Sequence, residues 1–176
     1  MAKDEWTGGV RSECPAVKEL KEALEAAVPW ISSGLVTVGT VRNDNSRHTA
    51  GLAADIMLDS RDAGQKTAAD EIIAAVVKLH PQMHWFDLIY TDWVGNKPVH
   101  FHIPGLPPFG GPNGMLKKNP TTEALGKLHE NHIHIDWFSL NPTTWPPQAS
   151  TTGFKTALIA EIQAPPQWLV DYMKTI

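Results

Sequence analysis

Two strands far apart in the chain, each apolar on one side, the first with an acid and the second with acids and imidazoles on the other, constrain this sequence more than anything else in it. From Ala53 to Leu58 the residues alternate, with Ala53, Asp55 and Met57 on one face and Ala54, Ile56 and Leu58 on the other. Over 128–138 the same period places Glu130, His132, His134 and Asp136 together, while Ile133, Ile135 and Trp137 take the opposite face. The polar faces are the expected walls of a site, and the apolar faces the expected floor of a core. His48 lies seven positions before Asp55, so a His and an Asp from one region and a His-x-His from another can meet. Together they supply the nitrogen and oxygen donors of an open metal site.

The rest of the chain reads as scaffold. Pro15 opens a helix over 15–28 whose Val17, Leu20, Leu24 and Val28 recur at three- and four-residue steps until Pro29. A β-branched strand follows over 35–41, and a polar loop over 42–46 leads to His48. Asp62 can cap a helix whose stripe of Ile72, Ile73, Val76, Val77 and Leu79 ends near His80 and Pro81, and this helix is expected to pack across the sheet. Strands over 87–91 and 98–103, joined by a Gly95-Asn96 turn, make a hairpin. The stretch 104–126 is so rich in Pro, Gly, Asn, Lys and Thr that no regular structure is expected there. A short helix over 154–162 precedes a closing segment through Trp168 and Tyr172. The expectation is an α+β fold, one domain over 1–176.

Composition narrows the chemistry. A net charge of −4 gives no electrostatic reason to bind nucleic acid. Cys14 is the only cysteine, so neither an internal disulfide nor a thiolate cluster can form, and a metal must be held by His and carboxylate. No apolar run suits a signal peptide or a membrane span, so the chain is expected to be made in the cytoplasm and not to insert into a membrane. A phage lysis enzyme or a toxin carried by a secretion machine also leaves the cell without such a signal.

A catalytic zinc takes three protein ligands and leaves one position open, and His48, Asp55 and His134 meet that requirement. Gly51 and Ala53 are small enough to let the backbone turn from loop to strand close to the ion. For proton handling the candidates are His132, about 7 Å before His134 by strand rise, and Glu130 on the same face. A lone His-x-His on a strand is more often ordinary than ligating; the second, spaced motif is what raises the case. His100-Phe101-His102 is a competing pair, with His102 expected near the pocket as a support or a substrate contact rather than a ligand. Arg42 and Arg47 read first as solvated loop charges, and either is a candidate to steady a substrate carboxylate or oxyanion. Tryptophans are more often core than platform, although Trp93 and Trp145 fall in loops where they could line a groove.

The run Ser46-Arg47-His48-Thr49-Ala50-Gly51-Leu52-Ala53-Ala54-Asp55 resembles the Ser-x-His-x-x-Gly-x-Ala-x-Asp signature of the D-alanyl-D-alanine carboxypeptidase and L-alanyl-D-glutamate endopeptidase group. With His132-Ile133-His134 it is similar to the wider family of zinc peptidases that includes lysostaphin, murein endopeptidase A and the hedgehog signalling domain. The resemblance implies a small central antiparallel sheet flanked by helices, with long loops around a zinc cleft. It implies Zn2+ held by His48, Asp55 and His134, His132 as the catalytic or transition-state-stabilising residue, and Ser46 near the substrate. The chain departs from the carboxypeptidase pattern at Asn131, where that group carries Glu three positions before the last ligand; Glu130 stands one place earlier. The base is therefore His132 or Glu130, with Glu130 orienting His132 in the former case. The implied activity is hydrolysis of a peptide bond in the stem or cross-link of bacterial peptidoglycan, in the periplasm or at the cell wall after delivery. An immunity or delivery protein is a candidate further partner. The alternative is a catalytically silent zinc module that recognises a partner, as the hedgehog domain is thought to do.

Overall fold

The computed structural model of the chain describes residues 12–41, 46–85, 87–92, 97–102, 117–118, 131–137 and 152–164. Its first helix, α1 (Pro15–Ala27), starts on a proline that needs no hydrogen bond for its nitrogen. The predicted stripe of Val17, Leu20 and Leu24 is fully buried, joined by Ala16 and Ala23. Pro29 ends this helix and begins the short α2 (Pro29–Ser32). Helix α3 (Ala63–Lys78) opens as the sequence predicts: the Asp62 carboxylate accepts from the Gln65 backbone N–H at 2.9 Å. Pro81 does more than stop it, because the chain re-forms at once into α4 (His80–Met83) with the proline in its first turn. Helix α5 (Lys155–Gln163) has no side-chain cap of its own at Phe154. Glu19 of α1 replaces one, accepting from the backbone N–H groups of Gly153 at 2.7 Å and Lys155 at 2.6 Å.

Four strands of four to six residues form the body of the sheet: β2 (Ala53–Ile56), β3 (Asp87–Asp92), β4 (Lys97–His102) and β6 (Ile133–Asp136). Two-residue strands, β1 (Val38–Gly39) and β5 (Lys117–Lys118), extend its edges. The order is β1-β2-β6-β3-β4-β5 and every pairing is antiparallel. The hairpin of β3 and β4 matches the expectation, while its proposed Gly95-Asn96 turn lies outside the described residues. Three expectations need adjusting. The strand over 35–41 contracts to Val38–Gly39, although the Thr37 carbonyl still accepts from Met57. Of the strand expected over 128–138, residues 131–137 are described, and among them the strand is Ile133–Asp136, prolonged by Trp137 N–H donating to the Leu52 carbonyl at 2.9 Å. Finally, Lys117 and Lys118 are paired with His102 and Phe101, inside a stretch read as holding no regular structure. Local composition there was overridden by the open hydrogen-bonding edge of β4. The rest of 104–126, and the closing segment with Trp168 and Tyr172, lie outside the described residues.

The alternation decides which face is which. Ala54, Ile56, Leu58, Leu88, Tyr90, Ile133, Ile135 and Trp137 share one buried cluster with the apolar faces of α1, α3 and α5. This is an α+β arrangement with the core between the sheet and its helices. Trp85 and Trp137 are core residues whose indole N–H groups are satisfied by the carbonyls of Val76 and Met83, each at 2.8 Å. Trp93 and Trp145 lie outside the described residues. Ala53, Asp55, Ile89 and Asp136 are buried but stand apart from that cluster, on the other face. No helix among the described residues is long and apolar enough to cross a membrane.

Candidate metal centre

The loop that carries His48 is tied to itself before it reaches β2. The Ser46 hydroxyl accepts from the His48 N–H at 3.2 Å and its carbonyl accepts from Thr49 at 3.1 Å. Gly51 N–H donates to the His48 carbonyl at 2.9 Å, and Leu52 N–H to that of Arg47 at 2.9 Å. Gly51 has φ +71°, and a Cβ there would collide with the Ser12 carbonyl, so this turn requires glycine. Cys14 N–H closes the contact by donating to the Gly51 carbonyl at 2.8 Å. The second ligand pair follows from register. Asp55 of β2 and His134 of β6 stand directly opposite each other, and opposed residues of an antiparallel pair project from the same face as close neighbours.

His48, Asp55 and His134 therefore converge, with one donor atom from each lying within 4.8 Å of the others. His48 Nε2 is 3.2 Å from Asp55 Oδ1 and 3.3 Å from His134 Nδ1. Donors bound at roughly 2.0–2.1 Å to a tetrahedral ion are separated by about 3.3 Å, so two of the three edges already have the required length. The third, His134 Nδ1 to Asp55 Oδ1, is a hydrogen bond of 2.8 Å that a cation would have to open by about half an ångström. The His48 ring is already oriented for ligation. Its Nδ1–H donates to the Thr40 carbonyl at 2.6 Å, which leaves the Nε2 lone pair facing the group. The donor set is the kind a divalent cation accepts.

Burial works to raise the Asp55 pKa, yet the hydrogen bonds and charge of His134 and His48 hold it well below the usual carboxylate range. Burial likewise works against an imidazolium at His134, yet Asp136 and Asp55 outweigh it and push this histidine up to about 9. Without a metal, then, the group holds a proton on His134 at neutral pH. A cation bound there would displace it.

The surroundings contain residues that sequence reading did and did not anticipate. His132 precedes β6, with its Nε2 3.7 Å from Asp55 Oδ1. Its Nδ1 is 2.8 Å from Asn131 Oδ1, so Nδ1–H donates outward and Nε2 keeps its lone pair toward the metal group. Asn131, noticed in the sequence only as a departure, engages this ring at Nδ1; Glu130 lies outside the described residues. Arg47 donates to Asp136 Oδ1 at 3.2 Å and to the Trp137 carbonyl at 3.4 Å. Arg42 lies outside the described residues. His102 is placed only by register, opposite Asp87, which in turn opposes Asp136. The Thr40 contact is made by a backbone carbonyl and leaves no trace in residue identity. The alternation already places Asp136 on the polar face with His134, but not as that ring's partner. Compared with protein-family models, with curated proteins and with solved structures, the chain matches none of them.

Proposed function

We propose that this chain is a zinc-dependent peptidase of the bacterial cell wall, hydrolysing a peptide bond in the stem or cross-link of peptidoglycan. The observation that carries the reading is the convergence of His48 Nε2, Asp55 Oδ1 and His134 Nδ1 at spacings suited to a tetrahedral ion, with a further imidazole beside them. The motif Ser-x-His-x-x-Gly-x-Ala-x-Asp followed by His-x-His supports the substrate class.

Two imidazoles and one carboxylate would hold the ion. Zinc bound there supplies Lewis acidity, polarising a scissile carbonyl and acidifying a water to a pKa of about 7. His132 has the geometry of the general base. Its Nε2 takes the proton from the attacking water and, as the C–N bond breaks, returns it to the leaving amine, so that no net proton is consumed. Asn131 favours the neutral tautomer in which that nitrogen is the acceptor, by accepting from Nδ1–H. Ser46 and Arg47 fix the loop and Asp136, respectively, and neither is needed as a proton carrier.

Incubating the zinc-loaded protein with purified peptidoglycan tests the proposal, with mass spectrometry of the released muropeptides reporting new amino and carboxyl termini. Cleavage supports it and names the bond. A zinc-loaded protein that releases nothing counts against the peptidase and favours the alternative, a catalytically silent zinc module that recognises a partner.

A further inference from the structure

We infer that Asp136, gripped by Arg47, is a positioning residue that decides which nitrogen of His134 is offered to the metal. The inference rests on the zinc reading of the group. An imidazole has two edges of nearly equal shape, and a half-turn about its terminal torsion exchanges Nδ1 with Cδ2 and Nε2 with Cε1 at little intrinsic cost, which would take both nitrogens from their present partners. Only one orientation is useful here. His134 presents Nδ1 to Asp55 Oδ1 at 2.8 Å and to His48 Nε2 at 3.3 Å, while Nε2 faces Asp136 Oδ2 at 3.4 Å. For Nδ1 to ligate, it must be the nitrogen without the proton. The proton then resides on Nε2, where a carboxylate holds it and makes the ring a stronger donor.

That carboxylate is itself fixed. Asp136 is only 4% exposed, and a buried carboxylate needs a countercharge. Arg47 provides it at Oδ1, which leaves Oδ2 for the imidazole, and the same guanidinium nitrogen reaches the Trp137 carbonyl. The positions have a symmetry of purpose. Arg47 immediately precedes the ligand His48, and Asp136 follows the ligand His134 by two residues on the same strand face. Each ligand-bearing segment thus contributes half of a brace behind the metal group, and the two halves join across it.

The test uses the full chain, with zinc affinity measured by chelator competition and the ring nitrogens of zinc-loaded protein read by long-range proton–nitrogen NMR. In the unaltered protein His134 is expected to carry its proton on Nε2. Asp136→Ala should weaken zinc binding about 10–100-fold, in the range typical of residues that support a ligand. It should also scramble the His134 signals while leaving those of His48, whose partner is the Thr40 carbonyl, in place. Asp136→Asn, which keeps an acceptor but loses the charge, should fall between. Arg47→Met, nearer the surface, should weaken zinc in the same direction, with Arg47→Lys recovering part of the loss. These two keep the inference testable should the Asp136 variants fail to fold. Wild-type zinc affinity and an unchanged His134 tautomer in Asp136→Ala overturn the inference while the zinc reading stands. Arg47→Met that changes KM but not zinc affinity removes Arg47 from the brace. An unaltered protein that binds no zinc sinks the reading itself, and the inference with it.

Discussion

The proposed mechanism gives each of the two histidines in the segment 131–137 its own job, and substitution should separate them. His134→Ala removes a ligand, so it should abolish zinc content and hydrolysis together, checked by metal analysis and muropeptide release. His132→Ala should keep the zinc and lose turnover by about 10²–10⁴-fold, the usual worth of a positioned base; full activity in that variant would strike His132 from the mechanism. Glu130→Gln should be milder than His132→Ala, and a variant as inactive as zinc-free protein would make Glu130 the base. Proton accounting offers another check. Because His134 is pushed up to about 9, zinc binding at pH 7 should release close to one proton from this ring, visible as a buffer-dependent enthalpy in calorimetry. The same shift governs metal-free stability. His134's folded value is raised, so its contribution is complete below the unfolded value near 6.5 and is lost as pH climbs through about 9. Asp55's is lowered, so its share is present above the ordinary carboxylate range and disappears on acidification. Chelated protein should accordingly melt at lower temperature at pH 9.5 than at pH 6.

At the level of elements, Gly51 and Glu19 carry the sharpest expectations. Gly51→Ala forces a side chain into the Ser12 carbonyl at positive φ and should cost about 1–3 kcal/mol or more in denaturant unfolding. Glu19→Ala uncaps α5 and should cost about 0.5–2 kcal/mol, the range for helix caps. These two residues also mark what a sequence reveals. Gly51 was legible because small residues between spaced ligands announce a tight turn, and Asp62 because a cap and its helix are local. Glu19 was not, since its partners Gly153 and Lys155 are distant in sequence and nothing local betrays them. The convergence of His48, Asp55 and His134 was legible through type and spacing. Their supports were less so: Asn131 was visible only as a missing Glu, and Arg47 read as a solvated charge because its partner, Asp136, lies 89 residues further along the chain. Lys117 and Lys118 form a strand for a similar reason, since an unpaired edge overrules what neighbouring glycines and prolines suggest.

For the molecule as a whole, zinc should act as a cross-link between β2 and β6 as well as a reagent. A ligand that binds only the folded form at a hundred times its Kd adds about 2.7 kcal/mol of stability. Thermal melts should therefore rise on zinc addition and fall with chelator, and His134→Ala should be indifferent to both. The order of the sheet has one more consequence. Strand β6 is made after β2 and β3 but is inserted between them. Neither of those earlier strands can complete its pairing until residues 131–137 have left the ribosome. A nascent chain therefore holds His48 and Asp55 with no third donor, and the proposed metal group stays incomplete until residues 131–137 have emerged.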